Sequence, residues 1–478
     1  MSRMIPVILL ALLLCGCGSP SQEAPDVPTS TAEEPTTAPT AVPTAAPEPT
    51  ATPSPTTAPT RTPTSTTTLT PEPTATLTSA PSPPLPTATP AAAIAIPVPP
   101  LMQVDTPSHT VCAENCDFTS LQAAIDDEAT TDGAIIACVD PVHTEAGIVI
   151  SKDVTIRGQG GGESILQASE AAGEATDRVL VIKKGATVTL QGMTIRHGNA
   201  AAPDDQGGGI YNYGTLTIFD CTISNNKANG GGGIANSGTL TLVDSTVSSN
   251  TAHGNAALGD ECGNGGGIKC GNGTLTLLNS TVSDNQAGTK GRNRGGGFFV
   301  GCGCSATLIN STISGNRTIH KSGRTFTGGQ GLGGGIHVMG TLQMVHCTIS
   351  DNRSSGEGGG VFVRGTLHYA NTIIANSSGR GDQCLLADSG ATLGVNTNNL
   401  VEGGGSCRPD ISDDPMLGPL ADNGGATWTH ALLTGSPAID AVPESDCVLG
   451  ADQRGQTREG AFGGDPRSCD IGAFEVQP

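Results

Sequence analysis

Asp220, Asp244, Asn279, Asn310 and His346 recur at one place in a repeated phrase, each just before a small Cys or Ser. If successive copies stack, Asp220 and Asp244 come one layer apart. Two carboxylates that close either share a proton or hold a cation, and calcium is the cation that oxygens of Asp220, Asp244 and Asn279 would suit. The competing reading is a solvated polar ladder at a chain corner. No arginine recurs beside the column to act as a base, and no local Asp pair has the form a sugar hydrolase needs.

A second set of reactive side chains lies between the copies. Asp204 and Asp205 sit in an early insertion, and Asp260 and Glu261 fall in 251–264. Lys290, Arg292 and Arg294 fall in 286–294, and His320, Lys321 and Arg324 in 317–332. These insertions enter at the same point of the phrase, so they would gather on one edge as a lobe acidic on one side and basic on the other. Insertions on one face of a stacked array often bind ligands; tolerated surface loops are the alternative. Two hydroxyl columns, Thr222/Thr246/Thr281/Thr312/Thr348 and Ser224/Ser248/Ser283/Ser314/Ser350, could match a sugar lattice, but such residues also simply suit exposed strands. His109, His143 and His430 have no Ser, Cys or Asp beside them in sequence and read as structural.

The elements that must position these groups are visible in the phrase itself. Glycine triplets start at Gly207, Gly231, Gly265, Gly295, Gly333 and Gly358. The matching core positions Leu216, Leu240, Leu275, Ala306, Leu342 and Leu367 lie 24 to 36 residues apart. Copies this short cannot bury a core alone and must stack. In residues 214–226, Leu216 and Ile218 alternate with Thr215 and Thr217, and Cys221 and Ile223 with Thr222 and Ser224. That period of two predicts half-buried strands. The glycine triplets and Asn226, Asn250, Asn285, Asn316 and Asn352 are expected to form corners with positive φ. Short strands and tight corners, one rung per copy, predict an all-β parallel β-helix with Ile195, Ile223, Val247, Val282, Ile313 and Ile349 in one inward column. Leu121, Ala124 and Ile125, after a Thr119 or Ser120 cap, predict a short helix over the N-terminal end.

This phrase resembles the right-handed β-helix proteins of the pectin-lyase-like superfamily, and within them bacterial surface proteins with polymorphic-outer-membrane-protein-like repeats. Residues 413–441, 451–458 (ADQRGQTR) and 469–475 (CDIGAFE) resemble the end of choice-of-anchor Q domain proteins, and 112–126 with 154–162 resemble that group's opening. The resemblance covers roughly 104–478 and implies architecture more than biochemistry. Calcium-dependent polysaccharide lyases of this fold hold calcium with acidic residues on successive rungs, which is the analogy for Asp220, Asp244 and Asn279.

The ends bound the setting. Arg3 and the apolar run Ile5–Leu14 read as a signal peptide, 1–16, too short for a membrane-spanning helix. Leu14-Cys15-Gly16-Cys17 resembles a lipobox, with lipid on Cys17 as the membrane anchor. Residues 17–103 then form a stalk, rich in Pro and Thr, that cannot bury enough apolar surface to fold; at ~3.1 Å per residue its reach is on the order of 250 Å. The head divides into a β-helix, 104–383, and a disulfide-rich segment, 384–478, expected to close the C-terminal end.

Thirteen of the fifteen cysteines lie in the head, in an oxidising compartment. Proximity and place in the end segments suggest Cys112–Cys116, Cys384–Cys407 and Cys447–Cys469. Cys262, Cys270, Cys302 and Cys304 could form two more bridges or a zinc site, though their spacing matches no zinc ribbon. Cys138, Cys221 and Cys347 would remain as thiols. The net charge of −21 argues against nucleic acid, and one Trp with three Tyr argues against a deep sugar cleft. The expected protein is a lipid-anchored cell-surface or outer-membrane β-helix that binds an external polymer, matrix or cell component as an adhesin. A polysaccharide lyase or hydrolase and a passive coat protein are the rivals.

Overall fold

The computed structural model describes residues 105–477 except 161, 201–204, 255–262, 289–292, 320–330, 388 and 459–467. The expected signal peptide, Cys17 and the stalk lie outside these residues. Among the described residues no helix is long and apolar enough to cross a membrane.

Among the described residues the alternation read from the sequence becomes three parallel sheets of eighteen, ten and nine strands. Strands one repeat apart pair without slippage at the core. Leu216 lies opposite Leu240, then Leu275, Ala306, Leu342 and Leu367. Ile195, Ile223, Val247, Val282, Ile313 and Ile349 pair in the same way. These residues are essentially unexposed and belong to one continuous core running from Val111 to Cys407. The all-parallel ladders establish a parallel β-helix.

Each repeat turns three corners in the left-handed backbone region. The first residue of each glycine triplet makes one of them, as at Gly265, φ 67°, where an added Cβ would collide with the Ile268 carbonyl. Asp220, Asp244, Asn279, Asn310 and His346, at φ 45° to 50°, make another. Short polar side chains tolerate this conformation better than branched or bulky ones. The third corner corrects the expectation for Asn226 and its counterparts. The residue before each asparagine, Asn225, Ser249, Asp284, Gly315 or Asp351, takes the positive φ of 56° to 66°.

The asparagines instead point inward as a ladder. Asn226, Asn250 and Asn285 each give both their backbone N–H and their side-chain amide to the Oδ1 of the next asparagine, at 2.9–3.0 Å. Asn316 does the same to Asn352. Their amides also donate to carbonyls such as Ile223 O and Val247 O, 2.8 Å away. A fully satisfied chain of this kind can stay in the core; a broken one would strand buried amides.

The N-terminal helix spans Leu121–Asp126, with Ser120 as its cap and Leu121, Ala124 and Ile125 buried. Glu145 reinforces it, accepting from Leu121 N, Gln122 N and Ser120 Oγ at 2.7–3.0 Å and contacting His143 Nε2 at 2.8 Å.

The C-terminal segment departs from expectation. Residues 384–401 form one further rung, paired through Cys384–Leu386, Thr392–Thr397 and Leu400–Val401. The end of the core is met by a short loop, where Cys407 is bridged to Cys384 and its carbonyl accepts from Tyr369 Oη at 2.6 Å. Residues beyond 412 do not close the end but lie along the side as a strap on the Thr/Ser face. Thr281 donates to the Trp428 carbonyl at 2.7 Å, Thr312 to Gln453 Oε1 at 2.6 Å, and Thr348 accepts from Ala473 N at 3.0 Å. The outward hydroxyls give the strap polar partners along the side of the solenoid.

The bridges Cys112–Cys116, Cys384–Cys407 and Cys447–Cys469 are present, together with Cys270–Cys304. Cys302 is also disulfide-bonded, so these cysteines lack the free thiolates that zinc needs. Cys138, Cys221 and Cys347 are buried thiols, pushed up to about 12 by desolvation, and are therefore unreactive.

Candidate functional site

The polar column divides in two. Asp220, Asp244 and Asn279 are half-buried, whereas Asn310 and His346 are 5% and 0% exposed. Burial pushes the Asp244 carboxyl above its ordinary value; a hydrogen bond from Asn279 pulls it back and the Asp220 charge adds to the push. The two carboxylates thus do feel each other across one rung. The backbone carbonyl of Asn279 is occupied, accepting from Thr427 Oγ1 at 2.7 Å. Among the described residues no group of three or more His, Cys, Asp or Glu side chains could hold a metal. At most two carboxylates and an amide converge, a small donor set for calcium, which takes six to eight oxygens.

Further along, the strap consumes the column. Asn310 donates to the Ala451 carbonyl at 2.8 Å and accepts from Arg458 Nη2 at 3.0 Å. Arg458 also meets Glu475 at 3.0 Å and donates to the Gly472 carbonyl at 2.7 Å. Asp452 pairs with Arg454 at 2.7 Å and accepts from Glu475 N at 3.0 Å. Arg454 stacks over Phe474, 3.7 Å from the ring centre. Burial pushes Glu475 up to about 8, the Asp470 charge adds to this and Arg458 opposes it; Asp470 is likewise raised, chiefly by burial. The charged residues of the 451–458 and 469–475 motifs therefore form the lock that seats the strap.

A serine–histidine pair went unseen in sequence because its members are 116 residues apart. His430 Nε2 lies 2.8 Å from Ser314 Oγ, and Nδ1 lies 2.7 Å from the Gly418 carbonyl. A carbonyl can only accept, so the proton sits on Nδ1 and Nε2 accepts from the serine. This is the geometry of an activated nucleophile, but Ser314 and His430 are 2% and 1% exposed. Sealed under the strap, the pair joins strap to solenoid. His143 is engaged by Glu145, and His109 packs edge-on against Phe118.

The insertions arise as their spacing implied. Their departure strands, Thr251–Ala252, Gln286–Ala287 and Arg317–Thr318, pair in register. So do their return strands, Gly263–Asn264, Asn293–Arg294 and Gly331–Leu332. Three consecutive rungs thus open at the same edge. Asp260, Glu261, Lys290, Arg292, Lys321 and Arg324 lie outside the described residues, as do Asp204 and His320. Arg294 is described: it is 9% exposed, with Nη1 3.8 Å from Met339 Sδ.

Beside this edge, outward positions of neighbouring strands form a column missed in sequence. Tyr211, Ala235, Lys269, Phe299, His337, Phe362 and Leu385 pair in order. Tyr211 stacks on Tyr213 at 4.1 Å, with Arg178 5.4 Å from the Tyr211 ring. The signal was present: each residue but Leu385 precedes an inward Asn, Cys or Val two places after a core aliphatic or Phe. It was passed over because its types vary.

No family model and no curated protein matches this chain. Among solved structures it is similar to pectate lyase Pel9A, at 14% identity and TM-score 0.43, covering 75% of this chain and 91% of that one. It is also similar to a pectin methylesterase mutant in complex with a hexasaccharide, at 14% identity and TM-score 0.32, covering 56% of this chain and 79% of that one. A third likeness is Geobacillus virus E2 ORF18, at 14% and 0.31, covering 58% and 56%. Scores this low carry no weight for activity; the β-helix rests on the sheet register itself.

Proposed function

We propose that the protein is a cell-surface binder of an extracellular polymer, matrix or cell component, held to the membrane through lipid on Cys17. The observation that supports binding is the edge where three consecutive rungs open in register. The Thr/Ser face is a poorer choice because the strap occupies its later rungs. The test is retention of the full-length protein on a panel of immobilised glycans and matrix polymers, with and without calcium, while assaying for released reducing or unsaturated ends. Retention without product supports the binder. Lack of retention on every polymer removes polymers as the ligand and leaves a protein ligand or the passive coat. The anchor is tested separately: Cys17→Ala should move the protein out of the membrane fraction, and an unchanged fraction would contradict lipidation.

A second reading is favoured by the Asp220/Asp244 pair. A cation there would suit a polysaccharide lyase or hydrolase, and product release that depends on Asp244 would establish it over the binder.

A further inference from the structure

Trp428 is the only tryptophan in the chain, and it is 56% exposed. The backbone that carries it is fixed on both sides, where Thr427 and Thr429 are 4% and 0% exposed. Thr427 Oγ1 donates to the Asn279 carbonyl at 2.7 Å and accepts from Gln453 Nε2 at 2.8 Å. Asn423 Nδ2 donates to the Thr429 carbonyl at 2.9 Å. The Trp428 carbonyl itself accepts from Thr281 Oγ1 at 2.7 Å. Burial would stabilise so large a ring, yet it stands outside a rigid frame. Held this way, it is organised for contact before any partner arrives.

The surface beside it gives the chemistry of that partner. The strap takes the Thr281 hydroxyl, which also accepts from Gln453 Nε2 at 2.9 Å. Thr246, Thr222 and Thr194 precede Thr281 in the same outward column. All three are half-buried, and so is Ser248, with hydroxyls that no other described residue engages. At ~4.8 Å per rung, this open shelf runs on the order of 14 Å from the step at Thr281. Its hydroxyls are neutral and can both donate and accept. Asp220 and Asp244 border it half-buried, and Asp284 is exposed two residues beyond Val282. The cation on these columns, Arg196, stands three rungs from Thr281. Such a border repels an anionic polymer. An uncharged sugar ring has an apolar C–H face and a rim of hydroxyls, which matches the indole and the shelf in turn.

We propose that Trp428 and the open shelf of Thr246, Thr222 and Ser248 form a binding ledge for a neutral polysaccharide. One sugar ring stacks on the indole, and hydroxyls of the chain bond to the shelf. The ledge rests on the reading of a polymer binder and gives that polymer a class. It adds a contact on the sheet of Thr246, separate from the sheet that bears the insertions. The strap, which takes the later rungs of this face, supplies an aromatic surface at the boundary of the earlier ones. Because the ledge is an open surface rather than a cleft, one aromatic platform serves it.

The test uses Trp428 as its own reporter, since no other tryptophan emits. The full-length protein is titrated with cellohexaose, xylohexaose and mannohexaose, followed by fluorescence and by calorimetry, with hexagalacturonate as the anionic counterpart. At least one neutral hexamer is expected to shift the emission saturably, with hexagalacturonate bound about tenfold more weakly or not at all. Trp428→Ala should weaken calorimetric binding about tenfold or more, and Trp428→Phe, which keeps a ring, by less. Thr246→Val should weaken it severalfold. Leu433→Ala, an exposed apolar change elsewhere on the strap, should leave it unchanged. No saturable shift with any neutral hexamer, or equal binding in Trp428→Ala, overturns the ledge. Hexagalacturonate binding as tightly as the neutral hexamers overturns the class of polymer. Retention on immobilised polymers that survives Trp428→Ala keeps the polymer binder and defeats the ledge. Absence of both retention and hexamer binding defeats the ledge and removes polymers as the ligand.

Discussion

The same backbone corner carries carboxylates at Asp220 and Asp244 and neutral groups at Asn310 and His346. The outward hydroxyls follow the same division: Thr222 and Thr246 remain half-buried, while Thr312 and Thr348 are sealed. Nothing in the corner geometry requires this, since φ stays between 45° and 50° throughout. The difference is the strap. Where water reaches the corner a charge is tolerated; where the strap covers it, the residue must be neutral and hydrogen-bonded or it would be a stranded buried charge. One column that looked like a single metal-binding array is thus two regions with different jobs.

The largest effect should come from breaking the covered half. Arg458→Met removes the partner of Glu475 and Asn310 and leaves buried carboxylates uncompensated, costing about 3–5 kcal/mol. Limited proteolysis should then cut the strap while the rungs before Thr281 resist. A change common to both halves comes next. Asn285→Ala interrupts the buried ladder between them and should destabilise the whole solenoid by about 1–3 kcal/mol in chemical denaturation, with no preference for the strap.

Titration should sharpen the contrast between the ends. Three strap carboxylates, Asp452, Asp470 and Glu475, face two guanidiniums, Arg454 and Arg458, so the cluster holds a proton most readily at Glu475. Its folded pKa, about 8, is above the ordinary 4.5, so its contribution is complete below pH ~4.5 and is lost as pH rises through about 8. Glu145 behaves oppositely. Burial pushes it up, but hydrogen bonds from His143, Gln122, Leu121 and Ser120 outweigh this and hold it at about 2. Its contribution is present above pH ~4.5 and lost as pH falls towards 2. Proteolysis across pH should therefore open the strap on the alkaline side and the N-terminal helix on the acid side. Opening of both ends together would contradict the assignment.

The smallest effect belongs to the uncovered half. Asp244→Asn relieves the Asp220 repulsion and should change stability by no more than about 0.5 kcal/mol. If Asp220 and Asp244 hold calcium, millimolar calcium should raise the Tm of the native protein and not that of Asp244→Asn. A rise that survives the substitution would place any calcium elsewhere.

The core columns were legible because alternation in a strand converts directly into inside and outside: Leu216 and Ile223 could face only one way. The corners were legible to within one residue. Asn226 and its counterparts do not vary between copies, while the preceding Asn225, Ser249, Asp284, Gly315 and Asp351 do. A corner tolerates several short polar residues, but a hydrogen-bonded ladder does not. The strap was not legible. Its contacts join residues such as Thr312 and Gln453, 141 apart, and no local pattern encodes such a distance. The charges of residues 452–475 were visible but could not by themselves show which surface they lock against. The aromatic column was hidden for a similar reason, since Phe299, His337 and Phe362 share a place without sharing a type.

The docking of the strap is the claim on which the division of the column, and the choice of the insertion edge over the hydroxyl face, both depend. Native-state hydrogen exchange on the full-length protein tests it directly, through the amides of Gly472, Ala473 and Glu475, which donate to Asn371 O, Thr348 Oγ1 and Asp452 Oδ2. The account predicts protection comparable to that of the flanking solenoid strands, lost in Arg458→Met. Exchange of these amides at the rate of an unstructured peptide, beside a protected solenoid, would contradict it and return the Thr/Ser face to the available binding surface.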